Sequence, residues 1–403
     1  MIKLIKKLYY ENAYTKEFTA NIIEVKEQDA KFHIVMDQTS FYPEGGGQPN
    51  DLGKIDDSAI EYVYEENQKI YHVTEQAPEN FYNVKCQIDW ERRFDHMQQH
   101  LGQHILSACF EKLFDGETIG FHLGTDTVTI DITMENMLPS QAEKIEYLAN
   151  QIVFNNLHVH QRYPNPDELK KMPLRKPPKV SDNIRVIEVD QFDYSPCGGT
   201  HPSYTGEVGI IKIRKWEKMK GGIRVEFLCG NRALKDYHWK NNSINKISAL
   251  LSVKDIDAYE GIDRLYNEYG QMKKEIRHMK AQLTDYEADF LYDRSDVHKK
   301  TKLLVKVFED RDINELRVLA AKITSKPDII ILFGTKQDLK VQMLFSRSKE
   351  IDINMNQLFK EVAPMINGKG GGNPQSAQGG GSDVSNLEGA LQAAKQIIQN
   401  RYL

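Results

Sequence analysis

The sequence predicts a mixed α+β and α/β multidomain protein. Its expected parts are a small N-terminal β-barrel, an α+β domain built around a metal site, a helical coiled-coil-like linker and a C-terminal α/β domain. Three patterns carry that prediction. Period-two alternation dominates residues 1–90, an apolar spacing of alternating four and three runs from Leu265 to Phe290, and strand and helix patterns interleave from 301 onward. The expected boundaries are 1–90, 91–235, 236–300 and 301–403, the sharpest lying near 300. With 403 residues, 40% of them hydrophobic and 28% charged, the chain has material for two or three cores.

In the first segment, Thr19-Ala-Asn-Ile-Ile-Glu-Val25 and Lys31-Phe-His-Ile-Val-Met36 alternate as half-buried strands do. The loop Thr39-Ser-Phe-Tyr-Pro-Glu-Gly-Gly-Gly-Gln-Pro49 interrupts them. Helix follows from about Arg92 to Leu113, then a strand at 127–132, a helix near 139–156 and a basic, proline-rich loop from Leu169 to Lys179. Strands resume at 183–188 and 208–213. The seam Leu265, Tyr269, Met272, Ile276, Met279, Leu283, Tyr286 and Phe290 has heptad spacing. It suits either a helix packed on its own domain or a coiled-coil arm that pairs two chains. Beyond 301 come strands at 303–308, 328–333 and 341–345, then helices near 354–366 and 385–400 flanking a glycine loop.

A net charge of −5 is no argument about nucleic acid, because a whole-chain sum hides local basic patches. The four cysteines, Cys86, Cys109, Cys197 and Cys229, form no CxxC pair and are too few for a disulfide framework. Lysines break the N-terminal apolar run, and no 18-residue apolar stretch occurs. The expectation is a cytoplasmic protein without signal peptide or membrane span.

The chemistry concentrates in two spacings about a hundred residues apart. His100-Leu-Gly-Gln-His104 sets two imidazoles at i and i+4 on one helix face, and Cys197-Gly-Gly-Thr-His201 adds a thiolate and a third imidazole. Three nitrogens and one sulfur suit the borderline softness and tetrahedral preference of zinc. His96 shares that helix face, but the Cys197/His201 pair already completes four positions.

These residues lie in longer motifs. Asp95-His-Met-Gln-Gln-His-Leu-Gly-Gln-His-Ile-Leu106, Ser195-Pro-Cys-Gly-Gly-Thr-His201 and Thr205-Gly-Glu-Val-Gly209 resemble the editing domain of alanyl-tRNA synthetases. They are more similar still to the freestanding long-form AlaX alanyl-tRNA editing proteins. Residues 39–51 resemble that family's glycine-rich editing motif, Lys220-Gly-Gly-Ile-Arg-Val-Glu226 its basic turn, and Gly368-Lys-Gly-Gly-Gly-Asn-Pro-Gln-Ser-Ala-Gln378 the glycine signature of the C-terminal DHHA1 domain. The resemblance runs from about residue 5 to 400. It implies Zn2+ held by His100, His104, Cys197 and His201, and a partner, tRNA(Ala), mischarged with serine or glycine.

The reaction so implied is hydrolysis of an aminoacyl ester. Gln48, Thr39 and Glu44 are candidate catalytic groups, unranked. Gln48 offers an amide to position water or ribose, and Thr39 a hydroxyl that would pair with a bound serine and stand unpaired against alanine. Gly45, Gly46 and Gly47 permit close backbone approach to substrate. Arg224, Lys220 and the loop cations Lys170, Lys171, Arg175, Lys176 and Lys179 are candidate phosphate contacts, and Gly370, Gly371 and Gly372 a candidate tRNA contact. An open zinc position would activate water or polarise the carbonyl, whereas four protein ligands would close the shell; the sequence leaves both open. A class II ligase activity is not expected, since the chain starts directly on the barrel, and no Asp-His-His motif supports a phosphoesterase. The alternative to an enzyme is a non-catalytic tRNA-binding protein with structural zinc.

Overall fold

The computed structural model describes residues 5–178, 180, 181, 183–337 and 340–402, and it divides into two compact units, 1–250 and 251–403. The mixed α/β multidomain class is as expected. In the first unit, seven antiparallel strands form a sheet in the order Glu17–Ala20, Val84–Ile88, Gly53–Ile55, Ser58–Glu66, Lys69–Thr74, Lys31–Met36, Ile22–Gln28. Alternation sends Ile34, Met36, Val63, Ile70, Val84 and Cys86 into one core with Tyr9, Phe41 and Tyr42.

A 25-residue helix, Trp90–Phe114, leaves this sheet. Asp89 caps it by accepting a hydrogen bond from the Arg92 amide, and Asp115 ends it in the left-handed conformation at φ 52°. Every residue from His96 to Phe110 is buried, so this is a central helix, not an amphipathic surface one. Leu101, Ile105, Cys109 and Phe110 pack with helix Pro139–Phe154 and with a four-stranded antiparallel sheet, ordered Thr118–Leu123, Val128–Ile132, Gly222–Cys229, Ile211–Met219. A three-stranded sheet, Val159–Arg162, Val186–Val189 and Asp193–Pro196, delivers the chain to Cys197.

Arg93, wholly buried, ties the helix to the glycine-rich loop. Its Nε donates to both Asp51 oxygens at 2.9 and 3.0 Å, and its terminal nitrogens reach the carbonyls of Ala13 and Ser40. Asp51 in turn accepts from the Tyr42 amide.

In the second unit a six-stranded sheet, ordered Asp296–His298, Thr301–Glu309, Ile329–Gln337, Lys340–Arg347, Ser376–Gly381, Lys369–Gly372, is parallel between its second and third strands and antiparallel elsewhere. Successive residues alternate faces. Leu303, Ile330 and Leu332 meet helices Met355–Val362 and Leu387–Tyr402, while Leu304, Ile329, Ile331 and Phe333 meet helix Ile313–Thr324. The expected glycine loop is instead strand: residues 369–372 pair with 377–380 in a hairpin. Bare backbone is what the packing requires, because a Cβ on Gly370 would stand 2.6 Å from the Phe359 ring. Helix Ala258–Asp293 spans 36 residues, and its heptad seam is exposed, from 50% at Met272 to 73% at Tyr286.

Candidate metal centre

Helical spacing brings His100 and His104 side by side, their ring centroids 5.3 Å apart. The loop after strand Asp193–Pro196 carries Cys197 and His201 against them, and the four ligand atoms lie within 4.8 Å of one another. Cys197 Sγ is 3.4 Å from His100 Nε2 and 3.6 Å from His201 Nε2. A tetrahedral zinc with bonds of roughly 2.3 Å to sulfur and 2.0–2.1 Å to nitrogen separates sulfur from nitrogen by about 3.5 Å, so the donor set fits that ion. His96 lies outside the cluster. Gly199 lets the loop close, since a Cβ there would fall 2.2 Å from His100 Cε1. Arg185 pins the same turn by donating to the carbonyls of Cys197 and Gly199, both at 2.8 Å.

Partners behind the ligands fix their tautomers. His100 Nδ1 is 2.8 Å from Gln48 Oε1, an acceptor, so Nδ1 carries the proton and Nε2 is free for metal. Gln48 Oε1 also accepts from the Thr200 amide at 3.1 Å, and its Nε2 donates to Thr200 Oγ1 at 2.9 Å. His104 Nδ1 lies 3.2 Å from Asp193 Oδ2, while Asp193 Oδ1 accepts from Arg175 Nε at 2.8 Å. Ser195 Oγ completes the group, donating to Asp193 and accepting from Arg175.

Burial opposes ionisation of Cys197, but the imidazoles of His100 and His201 overcome it and hold the thiol well below its ordinary range. Burial pushes His201 down to about 3, which keeps its imidazole a neutral donor. Burial would raise Asp193, yet His104 and Arg175 bring its carboxyl down to about 2. Replacing Asp193 with asparagine is therefore expected to weaken metal binding by about 10–100-fold, read by competition with a chelator. Unchanged affinity would discard the positioning role.

Of the expected site residues, Gln48 meets the cluster. Glu44 is exposed and accepts from Tyr62 at 2.5 Å. Thr39 is fully buried, its hydroxyl 2.9 Å from His72 Nε2. His72 gives its Nδ1 proton to the Ile34 carbonyl, so Thr39 donates to Nε2 and accepts from the Phe41 amide. Valine at position 39 is thus expected to cost about 1–3 kcal/mol in denaturant unfolding, through an unpaired His72. A loss of serine-over-alanine discrimination at unchanged stability would place the hydroxyl in the substrate pocket instead.

Gly45–Gly47 form a turn closed by reciprocal Gly45 and Gln48 backbone bonds at 3.1 and 3.0 Å. Arg224 pairs with Asp131 across neighbouring strands at 2.8 and 3.0 Å, and Lys220 sits in the exposed turn before Gly221. In the basic loop, Arg175 turns inward to Asp193, Lys176 reaches the Thr118 carbonyl and Lys170 pairs with Asp167 at 3.6 Å. Lys179 lies outside the described residues. Gly370–Gly372 stand in the second unit's hairpin. Asp193, Arg185 and Thr200 were missed by the sequence reading. A signal existed for the first: Asp193, Ser195 and Cys197 fall at i, i+2 and i+4, one face of an extended strand.

Residues 5–92 match the family model of tRNA synthetases class II (A), 184–226 the threonyl and alanyl tRNA synthetase second additional domain, and 300–400 the DHHA1 domain. An alanine–tRNA ligase of Methanobrevibacter smithii is 31% identical over 97% of this chain, which spans 45% of that ligase's length. The solved C-Ala domain of Aquifex aeolicus alanyl-tRNA synthetase is 27% identical over 26% of this chain and 96% of its own, with a TM-score of 0.25. The alanyl-tRNA editing protein AlaX-L of Pyrococcus horikoshii is 32% identical over 93% of this chain and 94% of its own length. Aligned with that relative nearly end to end, the chain belongs to the AlaX-L alanyl-tRNA editing family.

Proposed function

We propose that this protein is a zinc-dependent trans-editing hydrolase that deacylates tRNA(Ala) mischarged with serine or glycine, acting in the cytoplasm. The observation that carries the reading is the donor set of buried His100, His104 and His201 with half-buried Cys197, whose sulfur–nitrogen distances suit zinc, in a chain of an editing family. Zinc there would supply a Lewis-acidic centre at the scissile ester or the substrate's amino group.

The chain's own residues do the rest. Gln48 orients His100 and holds Thr200, so the glycine-rich turn and the Cys197 loop move as one piece. The Gly46 and Gly47 amides face the ester, with Glu44 and Thr39 as outlying supports. Arg224, Lys220 and the loop 169–179 meet acceptor-stem phosphates, and the Gly370–Gly372 hairpin of the DHHA1-like domain, 301–403, meets a further part of the tRNA. We read the seven-stranded sheet as the barrel of a domain spanning 1–90, followed by the editing domain, 91–235. In the linker, 236–300, the exposed seam of the 36-residue helix would pair two chains as a homodimer.

The test is release of serine, glycine and alanine from tRNA(Ala), with zinc measured alongside. Fast loss of serine or glycine with slow loss of alanine supports the proposal. Four protein donors fill a tetrahedron, which favours one other reading: a tRNA-binding protein with structural zinc. Zinc-loaded, folded protein that hydrolyses none of the three esters would establish that reading.

A further inference from the structure

One turn before His100 on the central helix, a cleft of about 730 Å³ opens among Pro49, Arg92, His96, Leu123, Arg232 and Trp239. That volume falls within the roughly 300–1,000 Å³ of ordinary small-molecule sites. His96 lines the cleft and is 3% exposed, and its Nδ1, itself shut off from solvent, has no hydrogen-bond partner. Burial and the neighbouring arginines keep that imidazole neutral, with its pKa pushed down to about 3.

The charges sort into spent and unspent groups. Arg232 is committed to Asp95 at 2.9 and 3.0 Å, and Asp236 holds Lys240 and, at 3.2 Å, the Trp239 indole N–H. Arg92 gives only Nε to the Asn50 carbonyl, at 3.0 Å, and among the described residues it has no ion pair. Trp239 is anchored by its N–H yet 54% exposed, which leaves a ring face open. The rim also carries the carboxylates of Asp89, Asp126 and Glu91, the last facing Lys235 at 4.0 Å. The cleft therefore offers an aromatic face, an apolar floor, a neutral imidazole and one guanidinium outside any ion pair. That set matches a base, a ribose and a phosphate.

Resting on the editing reading above, we propose that this cleft binds the 3′-terminal nucleotide of the tRNA, with its base against Trp239 and its 5′-phosphate at Arg92. His96 precedes His100 by four residues, about 6 Å along the helix, so the cleft wall and the metal centre draw on adjacent turns of one helix.

The test uses the full, zinc-loaded chain with Trp239→Leu and Arg92→Gln, both at the cleft surface, and AMP as a direct probe. The expected result is a KM for mischarged tRNA raised about tenfold or more in each variant, with kcat and the unfolding midpoint unchanged. Deacylation by the wild type with unaltered KM in both variants overturns the cleft and leaves the editing function standing. Where the wild type deacylates nothing, the editing reading fails by itself and AMP titration decides the cleft. AMP binding weakened in both variants upholds it as a nucleotide site, and no binding, or equal binding by all three proteins, overturns it.

Discussion

Alanine at position 197 is expected to strip the centre of its metal and to reduce deacylation by at least about a hundredfold, more than loss of any residue behind the ligands. The thiolate is the one anionic donor of the four. Without it, three imidazoles face one another with no charge to balance a dication, and His100 and His201 lose the sulfur that stands 3.4 and 3.6 Å away. Metal analysis after gel filtration and single-turnover hydrolysis of Ser-tRNA(Ala) measure the two effects together. A Cys197→Ala protein that still holds one equivalent of zinc would sink the assignment of the ligand set. Cys109→Ala is the natural control, because that thiol is buried in the core, where burial pushes its pKa up to about 12 and so away from metal chemistry.

The second large effect is on stability. Asp51→Ala leaves the Arg93 guanidinium buried with no anion, and breaking such a pair costs about 3–5 kcal/mol. The loop suffers too, because Asp51 also holds the Tyr42 amide. Urea denaturation followed by circular dichroism gives the number, and a loss below about 1 kcal/mol would contradict it. Pairing Arg93→Met with Asp51→Leu should recover much of the loss, because both charges then leave together, and that non-additivity separates an ion pair from two independent cavities. Metal content of the single variants should fall in step with unfolding and not before it, since neither residue touches a ligand.

Much of this was legible in advance, for physical reasons that differ from place to place. The histidine helix announced itself because its i, i+4 ligands and its acidic cap are local facts of the chain. The second unit's strands showed because residues buried on both faces read as continuous Ile, Leu and Phe runs. The glycine hairpin at 369–381 did not show, because strand propensity scores side chains and that strand works by lacking them. Thr39 looked like a substrate contact because sequence gives a hydroxyl no neighbours; its partner, His72, is 33 residues away. Arg175 read as a phosphate contact for the same reason, its partner Asp193 lying 18 residues on. The heptad seam was plain in the sequence, and its apolar residues are exposed as a free arm's would be.

The metal ligands are separated by 97 residues between His100 and Cys197, so the centre cannot exist until a long stretch of chain has closed on itself. Either half alone offers two donors and holds an ion weakly. Only after the three-stranded sheet has delivered Cys197 to the helix do four converge. Contacts of such wide sequence separation form late and slowly. Metal uptake would therefore act as a checkpoint on maturation: an ion retained through dialysis would certify a correctly assembled first unit, and metal stoichiometry would become an assay of folding yield as much as of chemistry.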